Sequence, residues 1–169
     1  MKLLRLLSLV SVCFLGAALS VSAQISVTSS AFSSGGTIPA QFTCKGADHN
    51  PPLQLQGVPQ KTKSLVLIMD DPDAPGGTFS HWLIWNIDPT IGQLGERSEP
   101  HGAAQGTNDF GKAGYGGPCP PSGTHRYYFR IFALDRTLDL KIGAKRPALE
   151  AAMKDHIVAR GELMARCSH

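Results

Sequence analysis

Between residues 64 and 134 the chain carries three short apolar runs rich in branched and aromatic residues, and what separates them decides the fold class. They are Ser64-Leu65-Val66-Leu67-Ile68-Met69-Asp70, His81-Trp82-Leu83-Ile84-Trp85-Asn86-Ile87 and Tyr127-Tyr128-Phe129-Arg130-Ile131-Phe132-Ala133-Leu134. The first two stop at Asp/Pro clusters, as strands do. No amphipathic helix is visible between them to carry a parallel crossover, so antiparallel pairing is expected. In the third run Tyr127, Phe129, Ile131 and Ala133 share one face, and Tyr128, Arg130, Phe132 and Leu134 the other. Runs at Gln24–Ser30 and Pro39–Cys44 read as edge strands. Pro147 to Asp155 reads as a helix, with proline in its first turn and Leu149, Ala152 and Met153 as its apolar stripe. Beyond it the pattern allows a continued helix to Arg166. Gly161 and the Ile157/Ala159/Leu163/Ala165 alternation favour a closing strand instead. The fold class is all-β with one or two short helices near the C-terminus.

Of the 169 residues 42% are hydrophobic and 17% charged, which suits a packed core and excludes general disorder. The N-terminus has the three parts of a secretory signal: a basic lead (Lys2, Arg5), an apolar run from Leu6 to Leu19, and small residues ending at Ala23. Residues 1–23 are therefore expected to be removed, leaving 24–169 as one exported domain, periplasmic or secreted. Outside that leader no stretch is long and apolar enough to cross a membrane as a helix. The formal charge of +3 loses two of its cations with the leader. Nothing strongly basic remains to grip phosphate backbones, so nucleic acid is excluded as a partner. Cys44, Cys119 and Cys167 remain, an odd number in a disulfide-permissive compartment.

No metal or cofactor is expected. The cysteine and histidine spacings fit no zinc pattern. Gly106 to Ala113 nearly matches a phosphate loop but ends in Ala113, which offers no hydroxyl to magnesium. Gly114-Tyr115-Gly116-Gly117 runs into prolines rather than a helix, so it is no dinucleotide fingerprint. With no nucleophile beside a base, the reading is a binding protein and not an enzyme. Two alternatives stand beside it. One is a hydrolase or isomerase using His81, His125 and the Asp pair as acid and base. The other is an inhibitor or interaction module with a protein partner.

Residues 88–124 are mostly Gly, Pro, Asn, Ser and charge, too long for an idle connection, and so a candidate site region. Three pieces of the chain stand out together. Asp70-Asp71-Pro72-Asp73-Ala74-Pro75 gathers three carboxylates at a strand end, where they repel one another unless donors or cations face them. His81 opens the next strand. Gly114 to Tyr127 is a stiff glycine- and proline-rich loop leading into His125 and Tyr127 on one face of a strand.

These segments resemble the phosphatidylethanolamine-binding protein family, in particular its bacterial Raf-kinase-inhibitor-like branch. The resemblance takes in Phe42-Thr43-Cys44-Lys45-Gly46, Asn50-Pro51-Pro52-Leu53 and Ala151-Ala152-Met153 with His156. It implies a large antiparallel sheet packed on a smaller one in a Greek-key arrangement. It also implies a small anion cavity for phosphate or phosphorylated, head-group-like ligands. The lining would be Asp71, Asp73, His81, His125 and Tyr127 with backbone from Gly117, Cys119 and Pro120. One carboxylate should orient an imidazole and the other face an ammonium group, while both histidines donate to the anion as imidazolium. Cys44 and Cys119 are expected to be neighbours and to pair, leaving Cys167 free or bridging a homodimer; monomer and homodimer both stand open.

Overall fold

A computed structural model describes residues 23–169; the expected leader, up to residue 22, lies outside the described residues. Strand β1 (Ala23–Gln24) and β2 (Ser26–Thr28) are followed by β3 (Leu53–Gln56), β4 (Ser64–Asp71), β5 (Phe79–Ile87), β6 (Gln93–Leu94), β7 (Ala104–Gln105) and β8 (Thr124–Leu134). Helix α1 (Arg146–Met153) and β9 (Ile157–Ser168) complete the chain.

The large sheet has the order β1-β9-β8-β4-β5-β7 and the small one β2-β3-β6. All pairings between these strands are antiparallel except β1 with β9. Strands β4 and β5 form a hairpin, and β8 returns after a long connection to lie on the other side of β4. That non-sequential neighbour is the Greek-key feature.

Alternation along the strands sends their two faces to two different cores. Leu65, Leu67 and Met69 of β4, with Tyr127, Phe129 and Ile131 of β8, pack against Val27, Leu55 and Leu94 of the small sheet. Val66 and Ile68, with Leu83 and Trp85 of β5, pack on the opposite face against Leu149 and Met153 of α1. A strand buried on both faces reads as a continuous apolar run, which is why β4 shows no polar alternation.

The segment after α1 is a twelve-residue strand paired with β8 along its whole length. Gly161 sits where β1 and the chain after it cross β9: a Cβ there would lie 2.0 Å from the Ile25 carbonyl oxygen. One short α-helix lies near the C-terminus. The Pro39–Cys44 edge strand is corrected: Ala40–Phe42 is a single 3-10 turn. Phe42 N–H donates to the Pro39 carbonyl at 3.0 Å and the Thr43 hydroxyl to the Ala40 carbonyl at 2.8 Å. Local bonds of this kind take the backbone groups a ladder would need. Among the described residues no helix is long and apolar enough to cross a membrane.

Candidate functional site

Asp71 is the last residue of β4 because Pro72 has no N–H to continue the ladder. Its Oδ1 accepts the Asp73 N–H at 2.8 Å, closing a tight turn at the strand end. Its Oδ2 accepts from His125 Nδ1 at 2.7 Å, with Asp71 3% and His125 8% exposed. The carboxylate fixes the imidazole and leaves Nε2 as the nitrogen available to a ligand.

His81 arrives from β5 by a break in register. Met69 pairs with Trp82 and Asp70 with Ser80, so His81 is the extra residue of a β-bulge. Strict alternation would place it with Leu83 and Trp85, on the face covered by α1. The bulge brings it instead to the Tyr127 side, the two rings standing edge-on with centroids 5.2 Å apart. His81 Nδ1 lies 2.7 Å from the Gly116 carbonyl, which can only accept, so Nδ1 carries the proton. Burial holds this imidazole below its ordinary pKa against the opposing pull of the Gly116 carbonyl and Asp71. His81 is therefore neutral near pH 7, with a lone pair on Nε2. Without a ligand this buried ring, whose Nδ1–H is spent on the Gly116 carbonyl, presents an acceptor at Nε2 rather than the imidazolium donor expected beside a bound anion.

Tyr127 is fully buried and its hydroxyl has no hydrogen-bond partner among the described residues. Burial, and then the nearby Asp71 charge, push the phenol far above its ordinary pKa, so it remains an O–H donor. Phe79 and Phe110 also pack against His81, with ring centroids 5.2 Å away in each case, Phe110 being half exposed.

The glycine-rich loop is tied down at several points. Gly116 N–H donates to the His81 carbonyl at 3.0 Å and Gly117 N–H to Asp48 Oδ1 at 2.6 Å. Tyr115 Oη donates to the Phe42 carbonyl at 2.7 Å. A Cβ on Gly117 would lie 2.5 Å from Asp48 Oδ1 and 2.7 Å from the Phe42 carbonyl oxygen, so only glycine passes there. Cys119 is joined to Cys44 by a disulfide, and Cys167 is a free, buried thiol. The Pro120 carbonyl accepts from the His169 ring at 3.0 Å.

Asp73 stands apart. Its carboxylate takes the Arg126 backbone N–H at 2.9 Å and the guanidinium at 2.8 and 2.6 Å. These bonds, side chain first, hold its pKa down at about 2. Asp73 thus serves the site through its backbone N–H on Asp71, and its charge belongs to Arg126. Asp71, His81, His125 and Tyr127 come together; Gly117, Cys119 and Pro120 form the adjoining loop.

Three contributors were not legible as site residues. Asp48 and Phe42 act through a fold-back that no local motif announces. Asn108 lies in the segment dismissed as a broken phosphate loop. Its Oδ1 accepts the Phe110 and Lys112 N–H groups at 3.0 and 3.1 Å, and its Nδ2 donates to the Gly114 carbonyl at 3.0 Å. That glycine-rich stretch is a carboxamide-centred turn supporting the loop.

Comparison with known proteins places this chain among relatives. The sequence model of the family described as "Phosphatidylethanolamine-binding protein" matches residues 28–168. A UPF0098 protein of Pyrococcus horikoshii is 51% identical over 144 residues, covering 80% of this chain and 73% of that protein. One from Chlamydia trachomatis is 43% identical, covering 82% and 95%. A crystal structure of a phosphatidylethanolamine-binding protein homolog from Chlamydia trachomatis superposes with a TM-score of 0.82 at 42% identity, covering 86% of this chain and 97% of that one. Escherichia coli YbcL, described as a member of the mammalian family, gives 0.80 at 33% identity, covering 87% and 99%.

Proposed function

The chain belongs to the phosphatidylethanolamine-binding protein family, and from that premise we propose an exported, non-catalytic binding protein for small phosphorylated ligands. The observation that carries the reading is the Tyr127 hydroxyl, a buried donor without a partner beside two imidazoles. An unsatisfied buried hydroxyl costs roughly 1–3 kcal/mol, which a ligand oxygen recovers. Export is supported by the N-terminal pattern and by the Cys44–Cys119 disulfide, a bond that persists in oxidising compartments.

The proton inventory narrows the ligand. Tyr127 donates, and His125 presents Nε2 once Nδ1 is committed to Asp71. His81 Nε2 accepts, so the ligand needs a donor of its own. A zwitterionic phosphoryl-amine has one in its ammonium, and a singly protonated phosphomonoester has one in its P–OH. A dialkyl phosphate has neither. Calorimetry with phosphorylethanolamine, methyl phosphate and dimethyl phosphate at pH 5.5, 7 and 8 tests the reading. Phosphorylethanolamine should bind tightest, and methyl phosphate should weaken as its second proton is lost near about pH 6. Tyr127→Phe and His125→Ala should each weaken binding about tenfold or more, in line with loss of a hydrogen bond to a charged group. Dimethyl phosphate binding as well as phosphorylethanolamine would overturn the acceptor role of His81. Turnover of any ester that disappears in His125→Ala would make the protein an enzyme.

A further inference from the structure

Phe110 and Ile142 are the large hydrophobic side chains that stand exposed among the described residues, and Phe110 stands against the site. Its ring centroid lies 5.2 Å from that of His81 and 4.7 Å from that of Phe79, edge-on in both cases. The ring also lies over Gly116, the residue whose carbonyl holds His81: a Cβ on Gly116 would come within 2.6 Å of Phe110 Cδ2. With these three contacts made, Phe110 still remains 42% exposed.

The backbone on either side of the ring is fixed. Asp109 N–H donates to the Ser80 carbonyl at 2.9 Å, and the Asp109 carboxylate accepts the Ser80 N–H at 2.6 Å. Buried Asn108 accepts the Phe110 and Lys112 N–H groups and donates to the Gly114 carbonyl. A single exposed apolar side chain is ordinary on a protein surface. This one is held in place against an imidazole of the site, where the apolar surface of a ligand would recover the cost of its exposure. Ligand sites set a few convergent polar groups beside apolar walls. Tyr127, His125 and His81 are the polar groups here, and the Phe79–Phe110 corner is the wall next to His81. Asp109 and Lys112 flank Phe110 with opposite charges, so the wall favours hydrocarbon over either sign of charge.

We propose that Phe110 is a specificity-determining residue of this site, its open ring receiving the body of the ligand. It selects phosphomonoesters with an apolar body, an aryl ring above all, over phosphate and its smallest esters, because aromatic pairs add to the burial of area alone. The proposal rests on the phosphate reading of the site given above.

The test titrates the chain from Gln24 onward with inorganic phosphate, methyl phosphate and phenyl phosphate at pH 5.5, where each carries about one negative charge. Phenyl phosphate should bind about tenfold more tightly than methyl phosphate. In Phe110→Ser that ratio should fall to about one. Phe110→Leu, which keeps apolar bulk over Gly116 and guards against a serine variant that fails to fold, should lower it by about threefold. Ile142→Ser, at the other exposed hydrophobic, should leave the ratio at its wild-type value. In NMR the phenyl protons should show nuclear Overhauser contacts to the Phe110 ring. A ratio unchanged in Phe110→Ser or Phe110→Leu would mean that the ring only seals His81, and it overturns the proposal, as do phenyl contacts confined to other residues. Methyl phosphate that binds with phenyl phosphate no tighter overturns this inference and leaves the phosphate site standing. Failure of all three to bind at millimolar concentration overturns the phosphate reading and this inference with it.

Discussion

Removing the Cys44–Cys119 disulfide should destabilise the protein without dismantling its site, and the two effects are separable because they act on different states. The bond closes a loop of 75 residues. In the chain-entropy account, opening a loop of that length releases about 4.5 kcal/mol of unfolded-state entropy at 25 °C. For a domain near 150 residues this is a fall in Tm of roughly 9–18 °C. In urea, with a slope of about 2 kcal/mol/M, it is a midpoint lower by about 2 M. The native state should change little, because the same two loops are held by three other bonds. Tyr115 Oη bonds the Phe42 carbonyl at 2.7 Å, Gly117 N–H bonds Asp48 at 2.6 Å and Cys44 N–H bonds the Pro118 carbonyl at 3.1 Å. The assay is urea unfolding of wild type and a Cys44→Ser/Cys119→Ser variant, with His81 and His125 ring signals followed by NMR. The variant should show a lower midpoint, a steeper slope from its more expanded unfolded chain, and unmoved ring signals. A stability loss under about 1 kcal/mol would refute the entropy argument. Displaced histidine signals at low denaturant would refute the claim that hydrogen bonds hold the loop. Thiol titration of the denatured, unreduced chain from Gln24 onward should find Cys167 alone.

Asp70→Asn should cost about 3 kcal/mol, the lower end for breaking a buried ion pair, because Arg130 and Arg146 keep about a quarter of their side chains in water; a urea midpoint within error of wild type would show the guanidiniums do not need the carboxylate. Gly117→Ala should abolish phosphorylethanolamine binding while leaving most of the stability, since its Cβ meets Asp48 and the Phe42 carbonyl and must push the loop outward; calorimetry giving wild-type affinity would contradict that. His81 has a folded pKa below its ordinary value, so the unfolded chain takes up its proton first. Its contribution to stability is present above about pH 6.5 and is lost as pH falls through the folded value. His81→Gln should flatten the stability–pH curve between about pH 7 and 5, and a wild type that gains stability on acidification across that window would reverse the sign.

Much of this molecule is written in short stretches of its sequence. The runs at 64–70, 81–87 and 127–134 became β4, β5 and β8 because a strand's side chains alternate and apolar content reports burial directly. The parity of Ile157, Ala159, Leu163 and Ala165 marked β9 for the same reason. Proline in the first turn and a stripe ending at Met153 marked α1. His125 and Tyr127 share a face by parity alone, so that half of the site was legible. The Pro39–Cys44 segment was misread because a turn held by Thr43 and a strand use the same residue types and differ only in where the backbone bonds go.

What the tertiary structure alone decided is the other half of the site. Parity assigns His81 to the α1 face; a one-residue slip between β4 and β5 turns it to Tyr127. The same applies to Asp73, whose charge is taken by Arg126 across 53 residues of sequence, and to the tautomer of His81, set by a carbonyl 35 residues away. Sequence pattern encodes which face a residue prefers, since that preference is local and repeats every two positions. Which partner consumes its proton or its charge depends on distances between strands that meet only when the sheet has formed.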